Sequence, residues 1–290
     1  MLRTLLLWLP VAALTPAAGP AAWHRPDEDE PDASELVAIE LIADRDAVAP
    51  GETFRVGVLF RMAPHWHVYW INPGDSGLET EVGLRAPEGF EIGELRFPAP
   101  ERFVLAGDVI NYGYQDEVLL FAELRAPREL PEGPIALEAD ARWLVCREAC
   151  FFGEGEGSLA LRRRDAGDGP NASAHARRFD KAAARVPRPW SRLEGAELVW
   201  SGAEDHPVLE VAVTGASALD FFPLREPSTR LEASAPAARA GGAGLRLAFA
   251  FDAAEGESPR AVGVLAVRRG DDTTHYALDT PHPRRAAGDD

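Results

Sequence analysis

Beyond its N-terminus the sequence has no run of about 18 uninterrupted apolar residues, so we expect no stable membrane insertion of the mature chain. Positive charge is also scarce: 30 Lys and Arg residues face 47 Asp and Glu residues, a net charge of -17. Nucleic acids and anionic membranes are therefore not expected partners, because like charges repel. The Gly-x-Ser-x-Gly elbow of hydrolases and the glycine-rich phosphate loop are both absent, and we expect no bound cofactor.

Cysteine is scarce as well, with only Cys146 and Cys150 in the chain. In an exported protein two such neighbours are expected to form a disulfide rather than two free thiols. A disulfide across so few residues stabilises a fold by only about 2 kcal/mol, against about 4–5 kcal/mol for a loop of about 100 residues. The pair is thus better suited to disulfide exchange than to bracing, and a structural disulfide is the alternative. The Cys-x-x-x-Cys spacing and the lack of a βαβ pattern do not fit a thioredoxin fold.

The N-terminus has the features of a secretory signal peptide. Arg3 supplies the positive start, residues 5–14 form a short apolar run, and small residues follow up to Ala22. The run is too short to cross a bilayer. We predict a signal peptide over residues 1–22, cleaved near its end, and an acidic linker over residues 23–33.

Short alternating apolar patterns, separated by turns rich in Pro and Gly, indicate an all-β fold of antiparallel sandwich type. We predict a first β domain over residues 34–162 and a second, smaller β-rich domain over residues 190–280. The segment 163–189 between them is predicted to be a linker that can hold a short helix at Phe179–Val186. Residues 281–290 are predicted to form a disordered tail.

The predicted strands are the segments whose apolar residues recur at every second position. In the first domain they include Thr53–Met62, Thr80–Leu84, Glu91–Phe97, Val118–Leu124, Ile135–Val145 and Gly157–Leu161. In the second domain the clearest are Glu197–Trp200, Val208–Val213, Gly244–Phe251, Ala261–Arg268 and Thr274–Leu278. The Ala-rich span Glu232–Gly242 fits either a loop or a helix, and this alternative stays open.

Two histidines in the same domain as the cysteines suggest a different hypothesis. If His65 and His67 lie on one strand, both imidazoles point to the same face and could bind copper or zinc together with the cysteines. A site of two cysteines and two histidines normally needs reduced thiols, which an exported protein lacks. We therefore expect no metal site, and copper handling is the weaker alternative.

Several segments resemble the N-terminal region of protein-disulfide reductases of the DsbD/ScsB type. In the first domain they are His65–Leu78, Phe97–Phe103, Asn111–Tyr114 and Trp143–Cys150; in the second they are Phe221–Pro223 and Thr274–Asp279. The resemblance extends over most of residues 36–280. The spacing of the cysteine pair is similar to that of the ScsB-like branch.

The resemblance implies an immunoglobulin-like periplasmic domain whose redox pair is Cys146 and Cys150. Such a domain takes reducing equivalents from a membrane electron-transfer reductase and passes them to oxidised periplasmic thiol proteins. Family members shield the disulfide with an aromatic residue of a cap loop, and the candidates here are Phe103, Tyr112 and Tyr114. The membrane and thioredoxin-like parts of the full-length family proteins are absent from this sequence, so we expect a separate membrane reductase. The alternative of a different class is a non-catalytic β-sandwich module that binds a partner protein.

Overall fold

The computed structural model describes residues 32–165, 167–169, 171–203, 205–252 and 259–283. The predicted signal peptide, nearly all of the predicted acidic linker and most of the predicted tail lie outside the described residues. From Asp32 onward the described chain forms one compact unit, and the predicted domain boundaries stay predictions. No described helix is long and apolar enough to cross a membrane.

The first part of the chain contains one short helix and eleven strands among its described residues. They are α1 (Ala33–Leu36), β1 (Val37–Ala43), β2 (Ala47–Val48), β3 (Thr53–Met62), β4 (His67–Gly74), β5 (Glu81–Arg85), β6 (Glu91–Ile92), β7 (Glu101–Leu105), β8 (Val109–Gln115), β9 (Glu117–Arg125), β10 (Ile135–Cys146) and β11 (Cys150–Arg163). One sheet has the order β1-β3-β9-β6, and the facing sheet has the order β2-β11-β10-β4-β8-β7. Strand β5 also pairs with β10, and all pairs are antiparallel except β2 with β11. This first sandwich confirms the predicted all-β, immunoglobulin-like fold class.

The alternating pattern of β10 explains how this strand packs against the facing sheet. Its buried positions alternate with exposed ones, and Ile135, Leu137 and Trp143 point into the core. The Trp143 ring meets the Phe60 ring of the facing sheet edge to face, with ring centroids 5.7 Å apart. Strand β10 therefore reaches the redox pair from a rigid, fully packed part of the sandwich.

Strand β11 is much longer than the predicted strand Gly157–Leu161. Its first half alternates Gly153, Gly155 and Gly157 with glutamates, a composition that disfavours an isolated strand. The glycines leave room for large neighbours: a Cβ at Gly153 would lie 2.4 Å from Nε1 of Trp143. Pairing with β10 from Cys150 to Leu161, together with this packing, extends β11 back to Cys150.

Helix α2 (Ala176–Arg185) lies in the segment predicted as a linker, where a short helix at Phe179–Val186 was expected. Phe179 is fully buried and packs in a cluster with Ile42, Leu59, Leu119 and Phe121 on the outer face of the β1-β3-β9-β6 sheet. The helix therefore covers that face and is part of the first sandwich.

The rest of the described chain forms two four-stranded sheets. The elements are β12 (Arg188–Pro189), the 3-10 helix η1 (Trp190–Arg192), β13 (Ala196–Gly202), β14 (Pro207–Thr214), β15 (Ala218–Pro223), β16 (Thr229–Arg239), β17 (Gly242–Phe251), β18 (Arg260–Arg269) and β19 (Asp272–Pro281). The sheet orders are β12-β19-β18-β15 and β13-β14-β17-β16, and their side chains share one core. The span left open between loop and helix, Glu232–Gly242, is mostly strand β16, with an irregularity between Leu231 and Ala233.

Strand β15 joins the two sandwiches through side chains on its opposite faces. Phe221 lies in the core of the second sandwich, whereas Phe222 lies in the core of the first. From the adjacent strand β18, Val264 and Ala266 also join the first core. Because two cores share one strand pair, the second sandwich is packed firmly against the first.

Candidate redox site

The two cysteines face each other across the tip of the β10–β11 hairpin. Cys146 ends β10, Cys150 begins β11, and they are paired in register with their Cα atoms 4.2 Å apart. The sulfurs form a disulfide, as the cysteine count predicts for an exported protein. The hairpin connection is Arg147–Ala149, in which the Arg147 amide donates to the Ala149 carbonyl at 3.1 Å.

The two sulfur-bearing residues differ in their exposure to solvent. Cys146 is 2% exposed, whereas Cys150 belongs to the exposed tip of the hairpin. A partner thiolate can therefore approach the disulfide from the Cys150 side. The sequence alone does not assign which cysteine a partner meets first.

The face of the sheet that carries the Cys146 sulfur is distinct from the hydrophobic core. Trp66, just before β4, and Val68 and Trp70 on β4 lie in the core, so the intervening His67 and Tyr69 point to the opposite face. The Tyr69 hydroxyl donates a hydrogen bond to Cys146 Sγ at 3.1 Å. Burial raises the pKa of Tyr69, which keeps this hydroxyl protonated and able to donate.

The Tyr69 ring is held by the chain that follows β4. The Thr80 hydroxyl donates to the Tyr69 carbonyl at 2.7 Å, and the Asn111 amide nitrogen lies 3.5 Å from the Tyr69 hydroxyl oxygen. Gly77, at φ +95°, packs so closely that a Cβ there would lie 2.4 Å from the ring. Only glycine tolerates both that backbone conformation and that approach. Gly77, Thr80 and Asn111 therefore position Tyr69.

His67 lies directly beside the disulfide in the sheet, since it is paired in register with Cys146. Its ring stacks on the Phe103 ring, with centroids 4.7 Å apart and planes 21° apart. Burial lowers the pKa of His67, because the charged form loses its hydration. Within the described residues the Nε2 atom of His67 has no hydrogen-bond partner.

The structure does not place His65 and His67 on one strand. Strand β4 begins at His67, and His65 is an exposed turn residue with φ 70°. Among the described residues no three His, Cys, Asp or Glu side chains are grouped as metal ligands. The geometric premise of the copper-handling hypothesis is therefore not met.

The three predicted cap candidates have different surroundings. Phe103 stacks on His67 next to the redox pair. Tyr112 lies at the junction of the sandwiches, its ring 5.7 Å from that of Phe222. Tyr114 is buried in the first core, where its hydroxyl donates to the Pro98 carbonyl at 2.7 Å and burial raises its pKa well above the ordinary value. Of the three, the structure brings Phe103 to the redox site.

Aromatic side chains also surround the hairpin tip. The Arg147 guanidinium lies 5.1 Å from the centre of the Trp66 ring, and the Phe151 ring lies 5.8 Å from it. Phe152 is 60% exposed two residues after Cys150. The exposed sulfur therefore lies beside an apolar surface.

Sequence reasoning did not single out Tyr69 and Asn111 as site residues. Tyr69 meets the Cys146 sulfur across 77 positions of the chain, and no local pattern encodes such a contact. The available signal is the alternation on β4, where aromatic residues that face the core are interleaved with polar aromatic ones.

The fold and the site together define an immunoglobulin-like β-sandwich that carries a disulfide at the end of a strand hairpin. Residues 38–161 match the family "Thiol:disulfide interchange protein DsbD, N-terminal". Residues 38–161 thus form a DsbD N-terminal-like domain, a thiol:disulfide interchange-related domain with a cysteine pair.

A solved structure shows the same fold over both sandwiches. The N-terminal periplasmic domain of ScsB from Proteus mirabilis superposes with a TM-score of 0.61 at 16% identity, covering 89% of this chain and 96% of that one. A second structure, of manganese lipoxygenase from Gaeumannomyces graminis with part of a zonadhesin of Komagataella pastoris, covers 84% of this chain and 93% of that one. Its TM-score is 0.23 at 10% identity. No curated protein matches the sequence significantly.

Proposed function

We propose that this protein exchanges disulfides with other periplasmic thiol proteins through Cys146 and Cys150. The observation that carries the proposal is the asymmetric disulfide at the hairpin tip, with one exposed and one buried cysteine. A bracing disulfide needs neither an exposed sulfur nor a hydrogen-bond donor aimed at the buried one. The family of residues 38–161 supports the same chemistry.

The exchange proceeds in two displacements. In the reduced protein the Cys150 thiolate attacks a disulfide of the partner, forms a mixed disulfide and releases one partner sulfur as a thiolate. Cys146, as a thiolate, then attacks Cys150 Sγ in the mixed disulfide. The second partner sulfur leaves as a thiolate and takes up a proton, so the partner gains two electrons and this protein regains its disulfide.

In the return half-reaction a thiolate of a reduced dithiol donor attacks the exposed Cys150 sulfur, and the Cys146 sulfur leaves as a thiolate. The second thiolate of the donor then attacks the donor sulfur of the mixed disulfide, so Cys150 leaves as a thiolate and the donor becomes a disulfide. The Tyr69 hydroxyl already donates to the Cys146 sulfur at 3.1 Å, and a hydrogen bond to a charged acceptor strengthens as the thiolate forms. Phe103, stacked on His67, acts as the shielding aromatic residue in this proposal.

The donor in this proposal is a membrane electron-transfer reductase, and the acceptors are oxidised periplasmic proteins. The domain family and the ScsB fold fit a periplasmic location. A signal peptide over residues 1–22 would direct the chain there.

Glutathione tests both the redox activity and the order of attack. We expect the folded wild-type protein to equilibrate with glutathione at a potential above about -300 mV, the range of exchangeable disulfides. With oxidised glutathione, Cys146→Ala should form a stable mixed disulfide at the exposed Cys150, whereas Cys150→Ala should react far more slowly, because Cys146 is buried. Mass spectrometry of the intact protein measures both adducts.

A potential below about -300 mV would mark a structural disulfide, and the β-sandwich binding module would then be the better function. Equal reaction of the two single-cysteine variants would contradict the assigned order of attack.

A further inference from the structure

The β7–β8 hairpin supplies Phe103 to the redox site, yet β7 lies at the end of its sheet. In the order β2-β11-β10-β4-β8-β7 it has β8 as its one neighbour, and its other edge has no strand partner among the described residues. The hairpin turn is exposed, and Val104 is 65% exposed. Such an edge hairpin opens locally at low cost unless something else restrains it.

The restraint comes from the second sandwich through Arg102. Arg102 and Phe103 are neighbours on β7, so their side chains leave opposite faces of the strand. Nη2 of Arg102 donates to Asp220 Oδ1 at 2.6 Å and to the Phe221 carbonyl at 3.0 Å. Both acceptors belong to β15, so one guanidinium ties the hairpin to the second sandwich.

Aromatic packing also holds the Arg102 side chain in place. The Arg102 guanidinium carbon lies 5.9 Å from the centre of the Tyr112 ring and 5.8 Å from that of Phe222. Tyr112 is the register partner of Arg102 on β8, and its ring meets the Phe222 ring edge to face. Nearby, the Asn72 amide donates to the Pro223 carbonyl at 2.8 Å. Strand β15 therefore holds both strands of the hairpin as well as β4.

We propose that Arg102 is a positioning residue through which the second sandwich holds Phe103 over the redox site and so limits the rate of disulfide exchange. The inference rests on the exchange function proposed above and assigns the second sandwich a role in it. Cys150 is exposed even when the hairpin is closed, whereas Phe103 stacks on His67 on the Cys146 side of the disulfide. Opening of the hairpin removes Phe103 from that side and so widens the access of thiols to the disulfide. Loss of the restraint should thus speed reduction and oxidation alike and leave the equilibrium potential unchanged.

The test compares Arg102→Leu with Arg260→Leu in the full chain. Arg260 pairs with Asp279 of the neighbouring strand in the second sandwich, an ion pair that involves no residue of the hairpin, so its replacement is a matched control. The readout is the rate at which dithiothreitol reduces the disulfide under native conditions. We expect Arg102→Leu to react about fivefold faster than wild type, as loss of about 1 kcal/mol of restraint would give. Arg260→Leu should react at the wild-type rate, and all three proteins should share one potential.

A double mutant shows whether the effect passes through Phe103. Phe103→Ala removes the shield itself, so adding Arg102→Leu in that background should give no further acceleration. Asp220→Asn, which weakens the same contact from the other side, should accelerate reduction in the same direction as Arg102→Leu. It also covers the case in which Arg102→Leu fails to fold.

The outcomes separate this inference from the proposed function. If the folded wild-type disulfide resists dithiothreitol altogether, the exchange function itself fails. If the wild type reacts but Arg102→Leu and Asp220→Asn match Arg260→Leu, only the positioning role is overturned. An equal acceleration by Arg102→Leu with and without Phe103 would likewise overturn it.

Discussion

The Cys146 sulfur has a hydrogen-bond donor of its own, the Tyr69 hydroxyl, whereas Cys150 is exposed to solvent. This difference gives each cysteine one of the two roles that disulfide exchange requires. The exposed sulfur can be reached by a partner, and the buried sulfur can leave as a stabilised thiolate. A symmetric, fully buried disulfide would offer neither property.

Tyr69→Phe tests the donor directly. A hydrogen bond to a thiolate is stronger than one to a disulfide sulfur, so the Tyr69 hydroxyl favours the reduced protein. Its removal should lower the midpoint potential by about 20 mV, as the loss of about 1 kcal/mol predicts for a two-electron couple. Titration with glutathione measures this shift.

Tyr114→Phe is the matched control, because the Tyr114 hydroxyl is also buried but donates to the Pro98 carbonyl. This variant should lose stability and keep the wild-type potential. If both variants have the same potential, the hydrogen bond to Cys146 has no influence on the redox equilibrium.

Among the structural elements, helix α2 shows how a segment between two sandwiches can stabilise one of them. The Phe179 side chain is fully buried against the outer face of the β1-β3-β9-β6 sheet, and Arg55 lies 5.4 Å from the centre of its ring. A sheet face with that many apolar residues would be exposed without the helix.

Phe179→Ala should therefore destabilise the protein by about 3–5 kcal/mol, the usual cost of removing a buried phenylalanine. Phe152→Ala, at a side chain that is 60% exposed, should change stability by less than about 0.5 kcal/mol. Urea unfolding of both variants measures the difference. Similar midpoints would mean that the helix does not contribute to the stability of the first sandwich.

The strands that the sequence predicts best are those with a regular alternation of apolar residues. Strand β3 has the bounds predicted, Thr53–Met62, and β10 differs from its prediction by one residue. Strands β7, β8 and β15 were not predicted as strands, and the first half of β11 was missed. Strands β7 and β15 are edge strands, β8 lies between β4 and β7, and the first half of β11 is rich in glycine. Tertiary pairing rather than local preference makes these segments strands.

The candidate site likewise has features that the sequence predicts and features that it does not predict. The spacing of Cys146 and Cys150 and the aromatic motifs around them predict the redox pair. The Tyr69 hydrogen bond, the stacking of Phe103 on His67 and the Arg102 contact with Asp220 join residues distant in sequence. Such contacts depend on the sheet order, which a single sequence does not specify.

Across the whole molecule, the two sandwiches share buried side chains, so a change in one should affect the stability of the entire unit. His275 on β19 is half-buried, and its Nδ1 atom has no hydrogen-bond partner among the described residues. Burial, with a smaller contribution from the positive charge of Arg185, lowers the pKa of His275 to about 4. Burial also lowers the pKa of His67 in the first sandwich.

Protonation of His275 therefore makes stability depend on pH. Between its ordinary pKa of about 6.5 and its folded pKa of about 4, the unfolded chain binds a proton that the folded chain does not bind. The free energy of unfolding should fall as the pH decreases through this window, and this histidine should contribute no further loss below it.

His275→Gln should lose less stability between pH 7.5 and pH 4.5 (about three units) than the wild type does. Exposed His206, replaced by Gln, is the control for the loss of a histidine, and this variant should lose as much stability over that range as the wild type. Urea midpoints at the two pH values measure the effect, and an identical loss in all three proteins would show that His275 is protonated as readily in the folded chain as in the unfolded one.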